Sequence, residues 1–495
     1  MTLKVNTIEF FAIFVVITKC YSQMRIKHSD PGIESGSPYK YSKTGRKEVG
    51  EALTQIVNST TLGCTIALTG EWGSGKTTFL RMWRQDLDNQ GFPTVMLNAW
   101  KTEWAEDPLI AVIACIQKAC EGNESQENIN TVREIARQFR KNPLSLIWAI
   151  ARTVLNTTAG VDLSDVGQEL IDLSDRAFDE AIEEFDAKER SIEELKKALE
   201  KMAWKKNQGC ENGRPLVFII DELDRCKPDY AVRLLEVLKH FFEVKNIVFV
   251  CAVDKKHLEE SIRGFYGSER INASEYLRRF FDLEVELPAP DYEMFSTHLY
   301  QYYHLGEFFD SEERKGNHPR EQGEEFQRFL ASLARKGHLS LRQMEQICAF
   351  TKLSLQRQNV NAYYYPSLSL FITYLRFFDQ PLYQILQTHG LSAQDLLDRI
   401  ISDYGGLIDN EDWHDAKNNR QVMLDMIGRL IVFYNNDRGY DSESIYDSTT
   451  KTTKLKNPFF TQDDLNSTIG WLCSSHSAYR LEWLFRMLNL LRIEA

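Results

Sequence analysis

The amino-acid sequence contains no hydrophobic run long enough to cross a membrane as a helix. A membrane-spanning helix needs about 20 consecutive apolar residues, whereas the apolar segments at residues 109–116 and 144–150 are far shorter. Residues 10–17 resemble the hydrophobic part of a signal peptide, but no small-residue cleavage site follows them. We therefore predict that the chain is not an integral membrane protein. We interpret residues 1–23 as a leader from an over-long gene assignment, with translation starting at Met24; a genuine anchor in this segment is the alternative.

Positive charge is also scarce relative to negative charge. The 495 residues include 59 Lys and Arg against 71 Asp and Glu, which gives a formal net charge of -12. This balance argues against a general nucleic-acid-binding surface, although it is compatible with a local one.

Paired cysteines and common hydrolase motifs are missing as well. The nine cysteines form no C-x-x-C pair, and several, such as Cys64 and Cys251, fall in predicted core strands. This usage predicts reduced thiols in a cytoplasmic protein and no zinc site. The sequence contains no H-E-x-x-H or G-x-S-x-G motif, which excludes the zinc-peptidase and serine-hydrolase chemistry of those motifs.

One short segment carries the strongest functional signal. Residues 70–77 read G-E-W-G-S-G-K-T and fit G-x-x-x-x-G-K-[ST], the phosphate-binding P-loop or Walker A motif. A β-rich stretch precedes them and a helical stretch, residues 78–87, follows, which is the strand–loop–helix context that the motif requires. The backbone N–H groups of such a loop and the start of its helix form a site for phosphate oxygens.

The P-loop predicts both a nucleotide and a metal ion. Lys76 can reach the β- and γ-phosphates, and the Thr77 hydroxyl can ligate Mg²⁺. ATP is favoured over GTP because no N-K-x-D or T-K-x-D motif follows the fourth predicted strand. The residues predicted to bind the nucleotide are Gly70, Glu71, Trp72, Gly73, Ser74, Gly75, Lys76, Thr77 and Thr78.

A second motif supplies the acids that hydrolysis requires. Residues 216–222 read L-V-F-I-I-D-E, which predicts a buried parallel strand whose carboxylates emerge at its C-terminal edge. That edge is where open α/β sheets bind ligands. Asp221 is predicted to hold Mg²⁺ through water, and Glu222 to orient and deprotonate the attacking water. Asp224 is the alternative base.

The residues around these motifs resemble a known family. The sequence D-E-L-D-R-C at 221–226 with Pro228, the P-loop itself, N-A-W at 98–100 and Y-L-R-R-F-F at 276–281 are similar to KAP P-loop NTPases. The resemblance runs from about residue 24 to residue 350. It implies an ATPase of the additional-strand, catalytic-glutamate class, often membrane-associated, with some bacterial members linked to phage exclusion. Many members carry transmembrane helices between the two Walker motifs, and this chain departs from them in lacking such a segment.

The pattern of predicted elements gives the fold class. We predict an α/β fold, a five-stranded parallel P-loop NTPase sheet with a helical insertion between Walker A and Walker B and a helical C-terminal region. The apolar segment at 144–155 of the insertion is either helical core or a surface that docks on a partner or a membrane. The predicted divisions are a leader (1–23), the first part of the core (24–120), the insertion (121–210), the second part of the core (211–290), a helical lid (291–355) and a C-terminal helical domain (356–495).

Four further residues are predicted through the resemblance. In the additional-strand topology Asp254, at the end of the fourth strand, would sense the γ-phosphate, and it can also cap the helix that follows. Arg342 lies in a segment that resembles the lid helix and is a second candidate sensor, or a surface arginine. Arg278 or Arg279 would be an arginine finger; the alternative is a basic helix end that complements the helix dipole.

Together these residues predict a Mg-ATPase that works as a nucleotide-driven switch. If the arginine finger acts in trans, the active form is a homo-oligomer, and the switch would act on a protein partner that the sequence does not specify. The resemblance suggests bacterial anti-phage defence or membrane-proximal signalling, in a cytoplasmic protein that is either free or peripheral to the membrane. The alternatives are a nucleic-acid-stimulated motor, a small-molecule kinase and a non-hydrolysing ATP-bound scaffold.

Overall fold

A computed structural model describes most of the chain outside the predicted leader and insertion. The described residues are 33–40, 46–60, 62–105, 107–120, 193, 196–197, 200, 214–315, 321–356, 364–405, 416–475 and 480–489. The leader at 1–23 and the apolar segment at 144–155 lie outside the described residues. The described chain forms two compact units, one up to residue 289 and the other from residue 290 onward.

The first unit contains a five-stranded sheet in the order β2-β3-β4-β1-β5. All its strand pairs are parallel, and β4 lies between β1 and β3. The predicted α/β fold is therefore confirmed, including the position of the additional strand. The strands are β1 (Cys64–Thr69), β2 (Thr94–Asn98), β3 (Leu216–Asp221), β4 (Ile247–Val253) and β5 (Leu283–Glu286).

The strands β3 and β4 form at apolar runs of the sequence because both of their faces are buried. Every residue of β3 and β4 is buried, as expected for parallel strands that are covered on both faces. Alternate residues serve the two faces, because Val217 and Ile219 join one hydrophobic cluster whereas Phe218 and Ile220 join the other. The covering helices are α1 (Lys47–Ser59), α2 (Lys76–Asn89), α3 (Ala99–Thr102), α4 (Pro108–Cys120), α5 (Pro228–Leu238), α6 (Lys255–Tyr266) and α7 (Ala273–Leu277).

The second unit is almost entirely helical. Its helices are α8 (Tyr292–Tyr302), α9 (Gly306–Phe309), α10 (Glu312–Lys315), α11 (Gln322–Lys336), α12 (Leu341–Leu355), α13 (Pro366–Phe378), α14 (Gln380–Thr388), α15 (Ala393–Tyr404), α16 (Ala416–Asp437), α17 (Gln462–Ser475) and α18 (Leu481–Asn489). One continuous hydrophobic cluster contains residues from every one of these helices except α10. The region predicted as a C-terminal helical domain also holds a short antiparallel pair, β6 (Tyr446–Asp447) and β7 (Thr452–Thr453). Strands of two residues are too short to give a sequence pattern.

The described helices agree with the absence of long apolar runs in the sequence. None of them combines the length and the hydrophobicity that crossing a membrane requires.

Candidate nucleotide-binding site

The P-loop has the backbone geometry that its glycines predict. Gly73 and Gly75 have φ angles of 78° and 88°, in the left-handed region that favours glycine. Gly75 is the N-cap of α2, so the loop passes directly into the helix. A side chain at Gly70 would also be tight, since its Cβ would lie 3.0 Å from Ser74 Oγ. The loop therefore places backbone N–H groups and a helix start at the C-terminal end of β1.

Lys76 is held inside this loop. It is only 9% exposed, and its Nζ donates to the carbonyl oxygens of Gly70 at 2.6 Å and Glu71 at 3.2 Å. Burial lowers the pKa of Lys76, whereas the carboxylates of Asp224 and Asp254 oppose that shift. The ammonium group thus has weak neutral acceptors on one side, and a phosphate would be a stronger partner.

Thr77 and Asp221 meet as the two Walker motifs predict. The Thr77 hydroxyl donates to Asp221 Oδ1 at 3.3 Å, and Asp221 is 1% exposed. Burial raises the pKa of Asp221 to about 6, against the opposing effect of the Thr77 hydrogen bond. The other carboxylate oxygen, Oδ2, is buried and has no hydrogen-bond partner. A buried acceptor of this kind is costly, and a carboxylate beside a hydroxyl suits the hard cation Mg²⁺, so these residues fit the predicted metal.

The described part of the chain contains no group of three or more His, Cys, Asp and Glu side chains arranged to hold a metal ion.

Glu222 is tied to two neighbouring side chains. Its Oε1 accepts from Arg225 Nη1 at 2.5 Å, and its Oε2 accepts from Asn98 Nδ2 at 2.7 Å. Glu222 itself has a φ of 60°, so the chain turns sharply as it leaves β3. Asn98 ends β2 and pairs with Asp221 in the sheet register. Both oxygens of the predicted catalytic base are therefore occupied by donors of this chain.

Sequence reasoning did not assign a role to Asn98 or Arg225. Asn98 could have been found, because the ends of neighbouring parallel strands lie at the same sheet edge. The Arg225 guanidinium also lies over the Trp100 ring, 5.9 Å from its centroid.

Trp72 connects the P-loop to the ends of two other strands. Its indole Nε1 donates to Asp224 Oδ2 at 2.5 Å, and its backbone N–H donates to Asp254 Oδ2 at 3.1 Å. The indole ring stacks on the His257 ring, with centroids 3.6 Å apart. Asp254 also caps α6 by accepting from the His257 backbone N–H at 3.5 Å. Both oxygens of Asp254 thus have donors within the protein.

The sequence model of the KAP family P-loop domain matches residues 46–358. The chain belongs to the KAP family. This finding confirms the resemblance read from the P-loop and from the D-E-L-D-R-C segment. The matched region includes β1 to β5 and continues into the helical unit through α12.

Comparison with solved structures finds distant similarity to ORC proteins. The ORC2 protein of Aeropyrum pernix, in ADPNP–ADP complexes, is 13% identical with a TM-score of 0.29, over 88% of this chain and 95% of that chain. Drosophila ORC bound to DNA is 12% identical with a TM-score of 0.35, over 88% of each chain. Drosophila ORC bound to GC-rich DNA and Cdc6 is 13% identical with a TM-score of 0.31, over 90% of this chain and 58% of that chain. Similarity this low carries no information about function. No curated protein matches the chain.

Arg46 is the first residue of the matched KAP region, and its side chain is hydrogen-bonded to the backbone of the P-loop. Its side chain is 2% exposed, and Nη1 donates to the Ser74 carbonyl at 2.6 Å while Nη2 donates to the Pro288 carbonyl at 2.7 Å. Sequence reasoning missed this residue, because the sequence around it reads as a polar, basic arm. The remaining predicted nucleotide contact, Thr78, lies in the first turn of α2.

The predicted arginines of the KAP domain lie at the surface. Arg278 and Arg279 are exposed and follow α7 in the turn before β5, and Arg278 forms an ion pair with Glu275 at 3.1 Å. Arg342 is exposed in the first turn of α12, in the second unit. Their roles as finger and sensor stay predictions.

Proposed function

We propose that this KAP protein binds and hydrolyses Mg-ATP and works as a nucleotide-driven switch. The observation that carries the proposal is the hydrogen bond of Thr77 to the buried Asp221 beside Lys76. Asp221 Oδ2 has no hydrogen-bond partner, and Lys76 Nζ donates to the loop carbonyls of Gly70 and Glu71. A Mg²⁺ ion and a phosphate would satisfy both groups at once.

Each residue of the site then has a stated task. Lys76 exchanges the Gly70 and Glu71 carbonyls for the terminal phosphates, and Thr77 with Asp221 holds Mg²⁺. When bound, Mg²⁺ would supply positive charge that offsets the negative charge developing on the phosphates. Glu222 orients the attacking water and accepts its proton.

The contacts of Glu222 give the switch a physical basis. Asn98 and Arg225 occupy both carboxylate oxygens, so an attacking water must displace one of them. Hydrolysis is therefore slow until a partner or a second copy of the chain moves Asn98 or Arg225. The active form in this proposal is a homo-oligomer in which Arg279, and secondarily Arg278, serves as an arginine finger in trans. Asp254 and Arg342 serve as the sensors of the γ-phosphate.

The cellular role follows from the family resemblance. We propose a cytoplasmic protein, free or peripheral to the membrane, that acts through a protein partner in anti-phage defence or membrane-proximal signalling.

A non-hydrolysing ATP-bound scaffold is the second candidate, and the same contacts of Glu222 favour it. Calorimetry with Mg-ATP and an assay of phosphate release separate the two. Binding with release that Glu222→Gln abolishes supports the ATPase. Tight binding without release at any protein concentration supports the scaffold, and absence of binding contradicts both.

A further inference from the structure

Trp72 is the residue of the P-loop whose contacts the nucleotide-binding role does not explain. Three contacts form what we term the Trp72 clamp: indole N–H to Asp224, backbone N–H to Asp254, and the ring stack on His257. We infer that Trp72 and Asp224 are positioning residues that hold the P-loop in its phosphate-binding shape. This inference rests on the proposed binding of Mg-ATP.

The clamp joins three strands at one sheet edge. Trp72 follows β1, Asp224 lies in the turn Leu223–Arg225 after β3, and Asp254 follows β4. These strands are neighbours in the order β3-β4-β1. A loop with two glycines in left-handed geometry has considerable backbone freedom. Fixing Trp72 on both sides removes part of that freedom before a nucleotide arrives, and pre-organisation of this kind improves affinity.

Burial shows that the clamp bonds matter to the carboxylates. Asp224 is 5% and Asp254 6% exposed, and buried carboxylates need hydrogen-bond donors. Trp72 supplies a donor to each, and bonds to a charged acceptor are stronger than neutral ones. Trp72 itself is 43% exposed, so burial of its ring is only part of what it contributes. Its N–H groups are the feature that a phenylalanine could not fully replace.

The hydrogen bond from Trp72 also argues against Asp224 as the catalytic base. The sequence left Asp224 as the alternative base to Glu222, yet Asp224 Oδ2 accepts the indole N–H at 2.5 Å. Its charge instead supports Lys76, since Asp224 is the largest influence that opposes the effect of burial on the Lys76 pKa. A positioning role predicts a loss of affinity on mutation, whereas a base predicts a loss of kcat.

The test compares variants that remove one bond of the clamp at a time. Trp72→Phe keeps the ring on His257 and the backbone N–H but removes the indole donor. Asp224→Leu removes the acceptor, and Asp224→Asn keeps one. We expect Trp72→Phe and Asp224→Leu each to raise the Kd and KM for Mg-ATP about tenfold, the effect of losing one charge-assisted hydrogen bond. We expect kcat to stay within about twofold and Asp224→Asn to bind within about threefold of the wild type.

Two comparisons make the result specific to the clamp. The double variant Trp72→Phe/Asp224→Leu should bind no more weakly than Asp224→Leu alone, because the leucine has already removed the bond to Trp72. Trp104→Phe is the matched control, since Trp104 is 85% exposed and should leave Kd unchanged. If Asp224→Leu does not fold, Trp72→Phe and Asp224→Asn carry the test alone.

The outcomes separate this inference from the proposed function. A wild-type protein that does not bind Mg-ATP overturns the proposed function and, with it, the reason for the clamp. Wild-type binding with an unchanged Kd in Trp72→Phe overturns the clamp alone. Unchanged binding with lost turnover in Asp224→Asn also overturns it and makes Asp224 the base.

Discussion

The two compact units of this chain bury charge in different ways. Among the described residues up to 289, the buried charged side chains are Arg46, Lys76, Asp221, Asp224 and Asp254, all in or around the P-loop and the strand ends beside it. Among those from 290 onward, Arg314 is the one buried charged residue. Burying a charge is unfavourable unless it is paired. A cluster of buried charges in one place therefore marks the part of the molecule that was selected for function.

Several buried polar groups of the helical unit form local contacts. The hydroxyls of Thr373 and Ser354 donate to helix carbonyls four residues earlier, at 2.7 and 3.0 Å. The Arg314 guanidinium donates to the Gln322 side chain and lies over the Phe308 ring. In the first unit, Asp221 Oδ2 and Ser74 Oγ are buried without a hydrogen-bond partner. Such atoms also occur in the helical unit, for example Ser367 Oγ and Tyr303 Oη, so the difference between the units is that the first has most of its buried charges in and around the P-loop.

The largest effect we expect is on the stability of the helical unit. Leu430 is fully buried in the hydrophobic cluster of that unit, so Leu430→Ala should lower the free energy of unfolding by about 2–5 kcal/mol. Chemical denaturation measures this loss. A loss below about 1 kcal/mol would contradict the view that this unit is organised around a tight core.

The second effect concerns nucleotide affinity in the first unit. Lys76→Ala removes the only ammonium group of the P-loop, and we expect Mg-ATP binding to weaken by about 2–4 kcal/mol or to vanish in calorimetry. Lys454→Ala is the matched control, because Lys454 donates to the Glu443 carbonyl in the helical unit. Wild-type affinity in Lys76→Ala would refute the assignment of the P-loop.

The third effect is on the pH dependence of stability, which the buried carboxylate of Asp221 influences. The pKa of Asp221 is raised to about 6 in the folded protein, against about 3.9 in an unfolded chain. Between these values the folded state holds a proton that the unfolded state has lost, so this group contributes less stability as pH rises from about 4 to 6. Asp221→Asn should therefore be more stable than wild type at pH 7.5 by up to about 3 kcal/mol, without Mg²⁺ or nucleotide.

Denaturation of both proteins at several pH values tests this sign. The advantage of Asp221→Asn should shrink towards zero near pH 4. A difference that does not change with pH would show that burial does not raise the pKa of Asp221.

The smallest signal we expect is rescue between inactive copies. If Arg279 acts in trans, a mixture of Arg279→Ala and Glu222→Gln proteins should recover part of the ATPase activity, because some mixed interfaces contain an intact finger and an intact Glu222. Nucleotide binding should be little changed in Arg279→Ala. No recovery, together with a monomer in light scattering in every nucleotide state, would refute the trans assignment.

Sequence reasoning succeeded where the signal is local or periodic. The P-loop glycines, the apolar strands β3 and β4 and the Thr77–Asp221 pair follow from motifs whose geometry is known from short segments. The contacts of Arg46 could not be predicted, since they join it to residues 28 and 242 positions away. The same holds for Trp72, which meets Asp224 and Asp254 only after the sheet has formed. The contact of Asn98 with Glu222 was not predicted because it depends on the register of β2 on β3, which places Asn98 opposite Asp221.

The central claim is that the site around the P-loop of the first unit binds Mg-ATP and hydrolyses it, with Glu222 as the base. Binding of Mg-ATP and release of phosphate, measured on the wild type and on Glu222→Gln in the same preparation, test it most directly. We predict equal affinity for the two proteins and turnover at least about 10²-fold slower in Glu222→Gln. Equal turnover in both proteins, or no phosphate release by the wild type, would contradict the account.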